Sequence, residues 1–463
     1  MMKITKEINK EIFRAYDIRG IADRDLTDDV IYTIARSFAT HIRRMSKDTC
    51  VIGHDNRLSS ERIHNALTKG LLDSGIDVLS LGFVTTPMHN FAKIYYDVNA
   101  AIMVTASHNP KEYNGFKLSL LKDDSLYGDS LREFKKYFDK YKFYNGRGIL
   151  TEDDVTLPYL HELKKSINLG PRRVKVVVDL GNGTGSLFMR QALDMFNIDY
   201  KILYGESDSS FPNHTPDPAV KSNMISLGDK VRELSYDVGL AVDGDCDRCG
   251  MVLEDGTYIA ADMMMLIFYR DLASSMSVKK GVFDVKCSLS LSDEIEKLGL
   301  EVCMNRTGSV YCRNYVRENN LSFGGEYSGH LFFRDRYLGY DDGFYGILRM
   351  IEILSKTDKK ASELLSGINH YYSTEEIMVK VTDDNKFDIV KGIKKYALSK
   401  NYKISDIDGV RVILDGAFAL VRASNTSPNL TLRFEAKTQE ECDKLQKEFM
   451  DKVNELNLKG RLF

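Results

Sequence analysis

Four times in this chain a short apolar run stops abruptly in a polar loop. Ala100–Val104 empties into Thr105–Ala106–Ser107–His108–Asn109–Pro110, and Val238–Val242 into Asp243–Gly244–Asp245–Cys246–Asp247–Arg248. Leu321–Gly324 leads into Gly325–Glu326–Tyr327–Ser328–Gly329–His330, and the strand-like Ala417–Arg422 into Ala423–Ser424–Asn425–Thr426–Ser427–Pro428. A short apolar run between turn signals reads as a buried strand. Ligands of open α/β sheets lie outside the carboxyl ends of such strands. A chain patterned this way must deliver its polar groups at strand ends, and four such loops, one per domain, converge if the domains surround a cleft.

The segments between these runs alternate in type. Cys50–Gly53 is strand-like, Ser59 is a candidate cap for a helix to Leu72, Ile76–Leu81 is a strand and Thr86–Tyr96 a helix. After the serine loop, Asn114–Gly115 reads as a turn and Phe116–Leu120 as a returning strand. Val174–Asp179, a Gly181–Gly185 turn and a helix over Leu187–Phe196 repeat the pattern. So do a helix from Asp262 to about Ser275, a strand Val282–Lys286, and helices Leu291–Leu298 and Val310–Asn319. Alternation of this kind predicts mostly parallel sheets with helices on both faces. The last stretch differs: Val410–Leu414 and Ala417–Arg422 flank Asp415–Gly416, a hairpin signal, and an amphipathic helix follows over Gln439–Leu456. At 463 residues the chain exceeds a single core, and about three or four domains are expected. The expected fold is three consecutive mixed α/β domains (1–150, 151–256 and 257–368) around a cleft, plus a C-terminal α+β domain (369–463).

Composition removes several classes of function. A net charge of −3, with acids and bases spread along the chain, leaves no basic face for nucleic acid. No apolar run approaches the ~18 residues of a membrane span. Met1–Lys10 is too polar for a signal peptide, and seven scattered cysteines argue for a reducing cytoplasm. Cys246 and Cys249 form a C-x-x-C without a second pair or a nearby histidine, so the spacing reads as accidental.

The loops carry the chemistry. Ser107 is a hydroxyl on a tight turn beside an imidazole, and a serine needs a base, a cation or a prior modification to act. Asp243, Asp245 and Asp247 alternate, so extended backbone puts three carboxylates on one face, where they repel unless a cation lies between them. All-oxygen ligation with few protein ligands favours Mg²⁺. A calcium loop is the rival, with Glu254 at its twelfth position, but Arg248 stands where that loop needs glycine. Glu326, Ser328 and His330 alternate likewise and suit a polyhydroxyl ligand. Arg422, with the short donors Ser424, Asn425 and Thr426 behind it, suits a phosphate.

These four loops, in this order and spacing, together with Phe13–Arg14–Ala15–Tyr16–Asp17–Ile18–Arg19–Gly20, resemble the α-D-phosphohexomutase superfamily. The nearest group is the bacterial phosphomannomutase/phosphoglucomutase enzymes, and the resemblance runs over essentially the whole chain. It implies that Ser107 is a phosphoserine whose phosphate shares Mg²⁺ with Asp243, Asp245 and Asp247. It implies transfer through a hexose 1,6-bisphosphate that turns over in the site, with glucose or mannose 1,6-bisphosphate as activator. It places His108, Lys117 and Arg248 beside the transferred group and His330 as proton acceptor. Glu326 and Ser328 fall on sugar hydroxyls. Arg422, Ser424, Asn425 and Thr426 hold the other phosphate, with Tyr16, Arg19, Lys286 and Ser309 as further substrate contacts. Where close relatives carry a histidine after the Thr–Gly of the sugar loop, this chain has Ser309, so mannose and glucose both stay open. Phosphoglucosamine mutase, or a phosphatase or sensor on the same scaffold, are the alternatives. A cytoplasmic monomer or weak homodimer acting on hexose phosphates is expected.

Overall fold

The run Ala100–Val104 is a strand with every residue buried, as for a strand covered on both faces. In the computed structural model of the chain, which describes residues 2–121, 125–138, 142–424 and 427–459, it lies inside a mixed sheet. It pairs in parallel with Thr49–His54 and antiparallel with Tyr113–Ser119. Asp77–Phe83 and Leu150–Glu152 extend the parallel side, and Ile18–Ile21 adds antiparallel to the other edge. Helices Asp28–Arg44 and Ser60–Leu72 bury Ile34, Phe38, Ile63 and Leu67 in one core with Ile52 and Ile102 of the sheet.

Two local readings change here. Asn114–Gly115 is not a turn but lies inside the strand Tyr113–Ser119, opposite Gly20 and Arg19. The reason is tertiary: Asn114 is buried, and its amide nitrogen donates to the hydroxyls of Ser59 and Ser60 at 2.8 and 2.9 Å. Ser59 does precede helix Ser60–Leu72 but makes no side-chain cap, because its hydroxyl accepts from Asn114 instead.

The strand Val238–Val242 pairs in parallel with Lys175–Asp179, which is followed in parallel by Asp199–Leu203. On its other side the chain reverses at once into antiparallel Cys249–Val252. Residues 1–260 and 328–364 make one compact unit. It includes the apolar helix Gly343–Ser355, whose first amide, Gly343 N, donates to the carbonyl of Cys246 at 2.9 Å.

Residues 261–327 and 365–463 make the second unit. Lys280–Asp284 lies in parallel between Glu301–Asn305 and Phe323–Gly325. The C-terminal sheet is antiparallel: Lys403–Ser405, Val410–Leu414, Ala417–Ala423, then Asn429–Ala436, to which Tyr372–Ser373 and Ile377–Lys380 both pair. Helices Lys386–Ser399 and Gln439–Lys459 contribute Ile393, Phe449 and Val453 to a core with Val412, Val421, Leu432 and Phe434. The α/β layering and the final α+β module are of the class read from the sequence. Among the described residues no helix is long and apolar enough to cross a membrane.

Candidate active site

Ser107 opens the turn after Ala100–Val104 in the left-handed region, at φ +48°, an uncommon conformation for a residue with a Cβ. The turn is held from below. Thr105 Oγ1 accepts from the Ser107 amide at 2.9 Å, and Arg57 clamps the loop carbonyls. Its two terminal nitrogens donate to Ser107 and Asn109 (2.7 and 2.6 Å) and to Pro110 and Tyr113 (2.9 and 3.1 Å). A guanidinium presents a fixed fork of donors, so one side chain sets four carbonyls at once. The Arg19 side chain bonds Asn109 Oδ1 at 2.9 Å and pairs with Asp17 at 2.7 Å. Tyr16, half-buried, stands three residues upstream of Arg19.

The Ser107 hydroxyl donates to Asp243 Oδ2 at 2.7 Å. A hydroxyl has one proton, so the 3.1 Å contact with His108 Nδ1 must run the other way, with Nδ1–H as donor. Burial and the Arg248 guanidinium push the His108 imidazole down, which keeps it neutral and fits that tautomer. Arg248 Nη2 reaches the same oxygen at 3.4 Å, while its Nε donates to Asp243 Oδ2 at 3.0 Å and its Nη1 to Asp217 at 3.1 Å.

The three aspartates do converge, but not by strand alternation. Val238–Val242 stops before Asp243 and Cys249–Val252 starts after Arg248; the residues between form a tight turn, with Cys246 at φ +66°. The turn, not a pleat, brings one carboxylate oxygen from each of Asp243, Asp245 and Asp247 within 4.8 Å of the others. It sits close under the serine loop: a Cβ at Gly244 would lie 2.8 Å from the Ser107 carbonyl oxygen, so only glycine fits. Asp245 Oδ2 accepts from Thr86 Oγ1 at 2.6 Å and Thr105 Oγ1 at 3.1 Å. Asp247 Oδ2 accepts from Lys117 at 2.7 Å. The remaining oxygens, Asp245 Oδ1 and Asp247 Oδ1, are buried without a hydrogen-bond partner.

Buried carboxylate oxygens that no donor satisfies call for a cation, and an all-oxygen set fits a hard one. The electrostatics agree. Burial and the neighbouring carboxylates push Asp243 up despite Arg248. Burial would also raise Asp247, but Lys117, His330 and Arg248 together outweigh it and hold the group below the ordinary carboxylate range. In return burial, which lowers an ammonium, loses to Asp247 and Asp245 at Lys117, which is held high. The calcium-loop rival fails on its twelfth residue: Glu254 accepts from the Ser362 amide and hydroxyl at 3.0 and 2.5 Å.

His330 belongs to the same unit. Its Nδ1 is 3.0 Å from Asp341 Oδ2 and 3.7 Å from Asp247 Oδ1. Asp342, next in the chain, caps helix Gly343–Ser355 through the Tyr345 amide at 2.9 Å and accepts from the hydroxyls of Tyr337 and Tyr159 at 2.7 and 2.9 Å. Burial raises its carboxyl to about 6. A carboxyl raised on folding binds its proton more tightly folded than unfolded. The stability it contributes is therefore present below its unfolded value and lost as pH rises through about 6. Asp342→Asn, neutral throughout, is expected to remove the part of this loss that falls between about pH 5 and about pH 8, on the order of 1–2 kcal/mol. Urea unfolding of both proteins at the two pH values measures it, and parallel losses in both would refute it.

In the second unit, Asp284 at the end of Lys280–Asp284 accepts from Thr307 Oγ1 at 2.6 Å and from the Tyr327 amide at 2.8 Å. Gly308 N donates to Glu326 Oε1 at 2.6 Å, and Ser309 is the first residue of helix Ser309–Glu318. Lys286 pairs with Glu376 at 2.7 Å. Its loop is clasped by buried arginines of the C-terminal sheet: Arg411 donates to the carbonyls of Val285 and Cys287, and Arg433 to that of Lys286. Arg422 pairs through Nε with Asp408 at 2.9 Å. The backbone amide of Ser424 donates to the Asn429 carbonyl at 2.9 Å. Asn425 and Thr426 lie outside the described residues.

The first unit thus gathers Arg19, Ser107, His108, Lys117, Asp243, Asp245, Asp247, Arg248 and His330. The stretch expected to alternate along one face, Glu326 to His330, does not: strand Phe323–Gly325 ends before it and Leu331–Phe333 begins after it. Glu326 bonds within the second unit, whereas Ser328 and His330 fall in the first. Sequence reading missed Arg57, Thr86, Asp217 and Asp341. Arg57 was the most legible of them, since Thr49–His54 also empties into a charged loop.

Comparison with known proteins covers the same ground. Phosphoglucomutase/phosphomannomutase family models match in four pieces: α/β/α domain I over residues 10–155, domain II over 158–256, domain III over 260–371 and the C-terminal domain over 376–452. A phosphomannomutase/phosphoglucomutase of Pseudomonas syringae pv. tomato is 36% identical over 435 residues, 94% of this chain and 93% of that protein. A phosphoglucomutase of Neisseria gonorrhoeae is 36% identical over 446 residues, 96% of each. The crystal structure of a phosphoglucomutase/phosphomannomutase family protein from Burkholderia thailandensis superposes with a TM-score of 0.88 at 33% identity, covering 97% of this chain and 98% of that one. With all four domain models matched in order and relatives of this identity spanning nearly its full length, the chain belongs to the phosphoglucomutase/phosphomannomutase family.

Proposed function

We propose that this enzyme interconverts hexose 1-phosphate and hexose 6-phosphate, with mannose and glucose as the sugars, through phosphorylated Ser107 and a hexose 1,6-bisphosphate. The observation that carries the reading is the Ser107 hydroxyl, 2.7 Å from Asp243 and flanked by Arg248 and His108 above a carboxylate set with unsatisfied oxygens. Phosphoryl transfer asks mainly for positioning and neutralisation of charge, which these groups provide.

The phosphoryl group leaves Ser107 Oγ for the free hydroxyl oxygen of the hexose monophosphate. The hydroxyl proton goes to the imidazole of His330, whose Nδ1 lies 3.0 Å from Asp341 Oδ2, so the imidazolium that forms faces a carboxylate. The electron pair of the breaking P–O bond stays on Oγ, where Arg248 and the Nδ1–H of His108 donate to it. Return of the second phosphoryl group from the bisphosphate reverses both movements. Asp243, Asp245 and Asp247 would hold Mg²⁺, which when bound would supply positive charge against the phosphoryl group. Lys117, already bound to Asp247, adds a second cation. Glu326 and Ser328 are assigned to sugar hydroxyls. Lys286, Arg422 and Ser424, with Asn425 and Thr426, are assigned to the phosphate that is not reacting, and Tyr16, Arg19 and Ser309 to the remaining contacts. Glucose or mannose 1,6-bisphosphate serves as activator by phosphorylating Ser107. Cytoplasmic residence is part of the proposal, supported by seven free cysteines, all but Cys303 buried.

The test is an assay of purified enzyme with Mg²⁺ on mannose 1-phosphate and glucose 1-phosphate side by side, with catalytic glucose 1,6-bisphosphate. Conversion of at least one to its 6-phosphate is expected. Release of inorganic phosphate without isomerisation would overturn the reading in favour of a phosphatase.

A further inference from the structure

Asp408 lies between strands Lys403–Ser405 and Val410–Leu414, and its carboxylate is almost fully buried, at 9% exposure. Gly409 after it has φ +77°, and a Cβ there would fall 2.6 Å from Arg422 Cα and 2.5 Å from the Val421 carbonyl oxygen. The loop therefore lies flat on the strand Ala417–Ala423, which brings Asp408 to Arg422. One oxygen, Asp408 Oδ2, accepts two donors: Arg422 Nε at 2.9 Å and the Thr307 amide at 3.1 Å.

Those donors belong to different tasks in the reading above, on which this inference rests. Arg422 grips the phosphate that is not reacting. Thr307–Gly308 is the turn that delivers Ser309, and each of its donors meets a carboxylate: Thr307 Oγ1 meets Asp284, Thr307 N meets Asp408, and Gly308 N meets Glu326. Because Asp408 takes the Nε edge of Arg422, the two terminal amines, the pair that grips a phosphate bidentately, remain for a ligand. We propose that Asp408 is a positioning residue that couples the grip of Arg422 on the phosphate to the turn that reads the sugar. Removing its carboxylate frees Arg422 to swing and frees the Thr307–Ser309 turn to shift, so phosphate affinity and sugar discrimination change together.

The test is steady-state kinetics of wild type, Asp408→Ala, Arg422→Ala and the double variant on glucose 1-phosphate and mannose 1-phosphate. Asp408→Ala is expected to raise KM for both sugars about 10-fold, as for a lost charge-assisted contact, and to change the ratio of their kcat/KM values several-fold. In the Arg422→Ala background it should add little to KM yet still move the sugar ratio. A purely structural role predicts KM effects that multiply in the double variant and a constant ratio, and either result overturns the coupling. If Asp408→Ala does not fold, the isosteric Asp408→Asn carries the same test, with smaller changes in the same directions. Wild type without turnover would overturn the reaction assigned above. An active wild type beside an indistinguishable Asp408 variant would overturn only the role of Asp408.

Discussion

Replacing Ser107 with alanine is expected to leave a folded protein that binds hexose phosphates within a few-fold of wild type and turns over at least about 10⁴-fold more slowly, as for loss of a nucleophile. The hydroxyl is the group that Asp243, Arg248 and His108 all address. Folding should survive, since Asp243 keeps both of its bonds from Arg248, at 3.1 Å from the amide and 3.0 Å from Nε. The cost of the one lost hydrogen bond is about 1 kcal/mol. Mass spectrometry after incubation with glucose 1,6-bisphosphate supplies a second readout. Wild type should gain one phosphoryl group on the peptide containing Ser107, and the variant none. A variant with wild-type turnover would sink the covalent mechanism.

Asp245→Asn separates the metal from the fold. Activity should fall on the order of 10³-fold, the scale of losing one electrostatic partner of the transition state. Stability without metal should hold or rise. Asparagine can still accept from Thr86 and Thr105, and one of three buried like charges is gone. Mg²⁺ then discriminates between the proteins. At a concentration about 100 times its Kd it stabilises wild type by about 2.7 kcal/mol through binding alone, while the variant gains far less. Thermal melts with EDTA and with Mg²⁺ measure this directly. Equal gains for both proteins would show that the cation is not held by Asp245, and activity that survives exhaustive chelation would remove it from the reaction.

Much of this was legible because the informative pattern is local. Ala100–Val104 and Val238–Val242 announce themselves as strands by five consecutive apolar residues, and both are fully buried. The polar loops follow at once, so Ser107 and the three aspartates are visible without a fold. Local rules failed where a distant partner outweighed them. Asn–Gly is a turn signal, yet Asn114 finds buried hydroxyls at Ser59 and Ser60, and the strand runs through. Alternation along an extended chain put the aspartates together for the wrong reason, since a turn with Cys246 in the left-handed region does it instead.

The residues missed share one property. Arg57, Asp217 and Asp341 act on partners 31 or more positions away or across a strand end, as in the bonds from Arg57 to Ser107 and from Arg248 to Asp217. Arg411 and Arg433 stand in apolar strands where a charge looks misplaced until the loop carrying Lys286 is seen beneath them. The sequence alone determined the class of fold, the order of the four loops and the kinds of group each presents. These follow from hydrophobic periodicity and side-chain chemistry, which are properties of neighbours along the chain. Only the tertiary structure decided which oxygens of Asp245 and Asp247 are left unsatisfied, which nitrogen of His330 faces a carboxylate, and that Asp408 joins the Arg422 grip to the Thr307 turn. Hydrogen bonds demand placement to within a few tenths of an ångström, and that placement is set by packing between segments that the chain separates widely.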